Sequence, residues 1–226
     1  SAEGGTINLI NCTIADNKAD RGGGVHFFSG SIQAVNSIFS NNSGGNGNFN
    51  DDGGAGTGTA NHCLFFNETE DNTGKLPPDI TGSENLEAVF PKYNTEYTLD
   101  YNSPAVDAGD TDAKSLEKDL NGVNRISNST IDIGAYEVKA CSDFGLDSII
   151  YVDQTATGRN NGSDWKNAFK SLEYALSFQE SCGFAGEIRV AGGQTFRPST
   201  SRLCTSGCDS PRASYFLIHK DIQLKG

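Results

Sequence analysis

The feature that most constrains this chain is a repeat near its N-terminus. Asn11-Cys12-Thr13-Ile14-Ala15-Asp16-Asn17, Asn36-Ser37-Ile38-Phe39-Ser40-Asn41-Asn42 and His62-Cys63-Leu64-Phe65-Phe66-Asn67-Glu68 align at offsets of 25 and 26 residues. Upstream, Ile7-Asn8-Leu9-Ile10 matches Ile32-Gln33-Ala34-Val35, and Gly22-Gly23-Gly24 stands between the units as a corner would. A unit holding two or three short β stretches cannot bury its own apolar face, so it must stack on a neighbour. The natural solution is all-β, a right-handed parallel β-helix (a solenoid) with one coil per unit and rungs about 4.8 Å apart. The expected inward positions are Ile7, Leu9 and Ile14 in one coil, Ile32, Ala34 and Phe39 in the next, and Leu64 or Phe65 in the third. Asn11 and Asn36 are expected to stack at a turn. An antiparallel sandwich is the alternative, since short strands with Gly turns read that way too.

Charge and composition narrow the partners. The 226 residues carry 17 Lys and Arg against 29 Asp and Glu, a net charge of −12, with 35% hydrophobic residues. That is too polar for a membrane span and too acidic for a nucleic-acid binder, and only Lys18 and Arg21 are basic before Lys75. Six Cys among abundant Gly and Asn suggest an oxidising, extracellular setting. Met is absent, even at position 1, which reads as a slice or a mature fragment. The length allows one or two domains.

The second half reads as a strand at Ile149 to Asp153, a polar loop from Gln154 to Gly162, and a helix capped by Ser163 or Asp164 that runs to about Gln179. Trp165, Ala168, Phe169, Leu172, Ala175 and Leu176 fall at helical spacing. That helix is expected to cap an open β-helix end with Trp165 in the core, carbohydrate stacking being the other role for the tryptophan.

The run N-C-T-I-A-D-N-K-A, then G-G-G-V, then N-S-I-F-S-N-N resembles the right-handed β-helix repeat proteins of bacterial surfaces, in the pectate-lyase-like superfamily. Asn102-Ser103-Pro104-Ala105-Val106-Asp107-Ala108-Gly109-Asp110, Asp119-Leu120-Asn121-Gly122-Val123-Asn124-Arg125 and Ile131-Asp132-Ile133-Gly134-Ala135-Tyr136-Glu137 look like the closing module called choice-of-anchor Q. Ile150-Tyr151-Val152-Asp153 with the Gly158 to Trp165 stretch is similar to the opening of the same class. The resemblance implies that residues 1–137 end one β-helix, 138–148 form a junction, and 149–226 begin a second.

Asp107, Asp110, Asp119 and Asp132, with Asn121, supply hard oxygens suited to Ca²⁺, the one cofactor the sequence admits. The competing reading is structural, with Arg125 pairing Asp107 or Asp132 and the aspartates capping turns. His26, His62 and His219 share no ligand spacing. Cys12 and Cys63, two coils apart, lie about 9 to 10 Å from each other at strand spacing and are expected as free, buried thiols. Cys141 with Cys182 would staple the cap to its entry segment, and Cys204 with Cys208 would close a short loop. Catalysis is not expected. A lyase needs a strong base beside carboxylates, and the repeat offers only Lys18 and Arg21. The expected function is a structural module of a large secreted or cell-surface bacterial protein, an adhesin, stalk or filament, in tandem array. Its expected partners are adjacent β-helix segments, identical subunits or surface glycans, without a membrane span in this stretch. A polysaccharide lyase or hydrolase of the superfamily, or a carbohydrate-binding β-helix, is the alternative.

Overall fold

The computed structural model describes residues 5–27, 30–44, 47–51, 56–67, 80–93, 97–113, 116–144, 149–183, 186–196 and 223–225. The chain divides into two compact units, Ser1–Leu99 with Ser103–Val138, and Asp100–Asn102 with Lys139–Gly226. The sequence reading puts Asp100–Asn102 with the first segment. In the structure the Tyr101 ring packs on Tyr174 and Phe178 of the second unit.

In the first unit, strands β1 (Thr6–Ile10), β4 (Ser31–Val35), β7 (Thr57–Asn61) and β9 (Ile80–Thr81) form one parallel sheet in the order β1-β4-β7-β9. Strands β2 (Thr13–Ala15), β5 (Ile38–Ser40), β8 (Leu64–Phe66) and β10 (Leu86–Glu87) form a second parallel sheet, and β3 (Val25–Phe27) pairs in parallel with β6 (Phe49–Asp51). The register follows the sequence repeat: Ile7 lies beside Ile32, and Ile32 beside Gly58, while Ile14 lies beside Phe39, and Phe39 beside Phe65. Parallel pairing at every step excludes the antiparallel sandwich.

Each repeat turns between its two strands at a left-handed residue. Asn11, Asn36, His62 and Glu84 occupy this position with φ of 53°, 49°, 49° and 55°. Asn and His tolerate that conformation better than most L-residues, so the aligned Asn11 and Asn36 belong there for a backbone reason. The amide ladder between repeats forms at a different corner. The Asn17 side chain donates to Asn42 Oδ1 at 2.9 Å, Asn42 Nδ2 donates to the Ile14 carbonyl, and Asn67 Nδ2 donates to the Asn42 carbonyl.

Ile32, Ala34, Phe39, Ala60, Phe65, Ile80, Val25 and Phe27 form the buried core, with Ile7, Leu9 and Ile14 partly buried against it. The Phe39 and Phe65 rings stack with centroids 5.3 Å apart, so Phe65 continues the inward column. Leu64 is equally buried but lies on the opposite face with Ile38, because side chains alternate along a strand. Gly58 makes room between Ile32 and Ile80, where a Cβ would strike both side chains.

In the second unit, β11 (Ile149–Val152), β12 (Glu187–Val190) and β13 (Gln223–Lys225) form a parallel sheet in that order. Helix α1 spans Leu172–Ser181, later than expected. Ser171 caps it, its side chain accepting from the Tyr174 N–H at 3.2 Å. Asp164 serves a loop instead, accepting from both the backbone N–H and the side chain of Asn167 at 2.9 and 2.8 Å. Phe169 is extended, its N–H donating to the Tyr151 carbonyl and its own carbonyl accepting from the Asp153 N–H. That pairing fixes residue 169 as strand-like, and a helix cannot pass through it. Trp165, expected in the core, is 45% exposed. A disulfide joins Cys141 and Cys182, tying the short 3-10 turn at Cys141–Phe144 to the end of α1.

Candidate functional site

Residues 103–138 form little regular structure, yet Ala105, Ile131, Ile133 and Val138 in it are buried. Irregular backbone in the interior must find hydrogen-bond partners other than a strand ladder. The acidic residues singled out from the sequence provide them. Asp107 Oδ1 accepts from the N–H groups of Ser129 and Thr130, and Asp110 Oδ1 from that of Asp112. Asp119 Oδ1 accepts from Asn121 and Val123, and its Oδ2 from Glu137 at 2.9 Å. Asp132 accepts from Asp107 through one oxygen and from Val138 through the other, at 2.8 and 2.7 Å.

Arg125 lies at the centre, 3% exposed. Its guanidinium donates to the carbonyls of Gly134 and Ala135 and to Glu137 Oε1 at 3.1 Å. The partner expected from the sequence was Asp107 or Asp132. Both are committed to backbone N–H groups, and Glu137, whose other oxygen accepts from the Asp132 N–H, makes the ion pair. Burial pushes Asp132 up to about 7, and burial together with the neighbouring Asp132 charge pushes Glu137 up to about 8.

This network also ties residues 103–138 to the repeat. Asn36 clasps Asp110 with both amide atoms, its Oδ1 accepting from the Asp110 N–H at 2.7 Å and its Nδ2 donating to the Asp110 carbonyl at 2.9 Å. Gly134, at φ of 116°, donates its N–H to the Asn36 carbonyl and lies against Ile38 and Thr13. The Ala135 N–H donates to Thr13 Oγ1. The segment therefore lies against the outer face of the sheet at β2 and β5, beside Thr13 and the buried Ile38.

Ca²⁺, the cofactor expected of these residues, requires their oxygens to converge. That ion takes six to eight oxygens within about 2.6 Å, whereas these carboxylates point at separate backbone N–H groups. Among the described residues no three or more His, Cys, Asp or Glu come together in a group that could hold a metal ion. Asn121 contributes its N–H to Asp119 at the tip of a turn.

Cys12 and Cys63 are free, Cys63 fully buried and Cys12 partly so. Burial pushes the Cys63 thiol up to about 12 and raises that of Cys12 as well. Such thiols are poor nucleophiles. Cys204, Cys208 and His219 lie outside the described residues.

Sequence reasoning missed Glu137 as the ion-pair partner and Ser171 as the helix cap. The signal for Ser171 was present as a Ser immediately before the run Leu172, Ala175 and Leu176. No sequence signal marked Glu137, which stands 12 residues from Arg125. No helix among the described residues is long and apolar enough to cross a membrane. No family model, curated protein or solved structure matches the chain.

Proposed function

We propose that this chain is a non-catalytic structural module of a large secreted or cell-surface bacterial protein, an adhesin, stalk or filament, built from stacked coils of a right-handed parallel β-helix. The observation that supports it is register. Thr6–Ile10 pairs with Ser31–Val35, and that strand with Thr57–Asn61, residue for residue, through the same offsets that align in the sequence. The β2-β5-β8 ladder does the same. Adding a repeat therefore adds a rung without disturbing those before it, which is how a solenoid lengthens into a stiff rod. Residues 103–138 act in this reading as a flank, their carboxylates holding irregular backbone against the rod.

Strands β1 and β2 stand together at one edge of their sheets, with Ile7, Leu9 and Ile14 only partly buried. Edge strands with apolar neighbours pair with further strands, and here the partner is an adjacent coil or an identical subunit. Light scattering over a range of concentrations tests this. Assembly that grows with concentration, and that Leu9→Arg weakens without loss of the β signal in circular dichroism, is the expected result. A strictly monomeric protein at every concentration would sink the assembly reading. Release of unsaturated uronates or new reducing ends from polygalacturonate would replace it with the lyase or hydrolase reading.

A further inference from the structure

We propose that strand β1 docks antiparallel against β1 of a second copy of this chain, across a two-fold axis at Asn8, so that assembly through this edge closes at two. The proposal rests on the reading of β1 as an assembling edge and adds to it the partner, the symmetry and the register. The main chain sets that register. Ser31 donates its N–H to the Gly5 carbonyl, and Asn11 donates its own to the Val35 carbonyl. Along a paired strand, residues that bond the neighbour alternate with residues whose N–H and C=O turn the other way. Gly5, Ile7, Leu9 and Asn11 are therefore committed to β4, and Thr6, Asn8 and Ile10 present theirs at the free edge.

Those three residues suit an antiparallel copy of themselves. About a two-fold axis at Asn8, Thr6 comes opposite the partner's Ile10, Asn8 opposite the partner's Asn8, and Ile10 opposite the partner's Thr6. Each such pair exchanges both of its hydrogen bonds, so every free main-chain group of the strand is matched. Moving the axis to Ile7 or Leu9 leaves one of the three without a counterpart in β1. The same axis brings Ile7 opposite the partner's Leu9 on the core-facing side, where non-hydrogen-bonded pairs hold their side chains close. Both residues are only partly buried in a single copy, while Ile32 and Ala34, at the same positions on β4, are fully buried. The two-fold contact supplies the missing cover to both copies at once.

The opposite edge of the sheet selects this partner. Ile80, the inward residue of edge strand β9, is already only 4% exposed, so that end offers no comparable apolar face to a head-to-tail neighbour. A patch that meets its own copy does so about a two-fold axis, and such a contact closes. Thr6-Ile7-Asn8-Leu9-Ile10 also carries no charge and no Pro, two of the devices that keep edge strands from pairing. Copies of net charge −12 therefore bring no like charges together on this strand.

Sedimentation equilibrium and cysteine crosslinking of the intact chain test this. The mass should plateau at twice that of the chain as concentration rises. Asn8→Cys should form an intermolecular disulfide under mild oxidation, with peptide mapping joining position 8 to position 8, because hydrogen-bonded antiparallel partners have Cα atoms about 5.5 Å apart. Thr6→Cys alone should not crosslink at position 6, which lies four residues out of register with itself. An equimolar mixture of Thr6→Cys and Ile10→Cys should join 6 to 10. All three side chains are exposed in a single copy, so these variants keep the fold, with circular dichroism as the check. Growth past two copies, a plateau at two with no disulfide at position 8, or a disulfide joining two copies at position 6 would overturn the two-fold register. Leu9→Arg, which blocks any use of this edge, then reports separately on the assembly reading. A monomer at every concentration would overturn both.

Discussion

Glu137 and Asp132 are acids buried beside a single arginine, and their titration sets a pH dependence for the first unit. Both hold a proton more tightly folded than unfolded, Asp132 up to about 7 and Glu137 up to about 8, because burial disfavours their charges. Between the ordinary carboxylate range and about 8 the native state therefore binds more protons than the unfolded chain, so stability falls as pH rises through that window. The stabilising contribution is complete below the unfolded carboxylate pKa and lost above about 8. Denaturant melts should show the midpoint decreasing from pH 6 to pH 9, with Glu137→Gln flattening the slope. A midpoint that rises over that interval would contradict this account. Removing the cation is a harsher change. Arg125→Ala leaves the ionised Glu137 without its partner above about pH 8 and should cost about 3 to 5 kcal/mol there, measurable as a loss of midpoint at pH 9.

At the scale of elements, stacking depends on two kinds of column. The polar one runs through Asn17, Asn42 and Asn67, where the Asn42 amide bonds Asn17, the Ile14 carbonyl and Asn48 Oδ1 at once. Asn42→Ala leaves several buried partners unmatched and should cost about 2 to 4 kcal/mol, against a near-neutral change for an exposed Asn. The apolar column passes Ile7, Ile32, Gly58 and Ile80, where two large residues close over a glycine. Gly58→Val overpacks that position and should cost about 1 to 3 kcal/mol, with chemical denaturation as the measurement. The offset of 25 residues between the first two levels of each column was readable from the sequence, since Asn17 recurs as Asn42 and Ile7 as Ile32. Which of Leu64 and Phe65 faced inward was not readable. Both are apolar, and both are fully buried, one on each face of the strand.

At the scale of the whole molecule, the Cys141–Cys182 bridge closes a loop of sequence separation 41 that contains β11 and the strand-like Phe169 before reaching α1. Reduction should lower the stability of the second unit by about 2 to 4 kcal/mol and leave the first unit's melt in place. A differential scan with and without reductant, in which only one transition moves, is the expected result. The free Cys12 and Cys63 provide an internal control, since reduction changes neither.

The sequence by itself determined what repetition and local chemistry can determine. It placed the parallel strands, because units of one length stack only in one register. It put Asn11 and Asn36 at the turns, though the left-handed backbone they adopt there came only from the structure, and it paired Cys141 with Cys182 across the helix. The tertiary structure decided where competition between partners mattered. Ser163, Asp164 and Ser171 can all cap a helix, and the long-range pairing of Phe169 with Tyr151 left only Ser171 free to do so. Arg125 had several acidic neighbours in sequence, and it took Glu137 because Asp107 and Asp132 were already held by backbone N–H groups. Trp165 fell at core spacing on an extrapolated helix, and reached the surface once that helix began at Leu172. In each case residues equal in local propensity were separated by which distant group claimed them first, information that no short window of sequence contains.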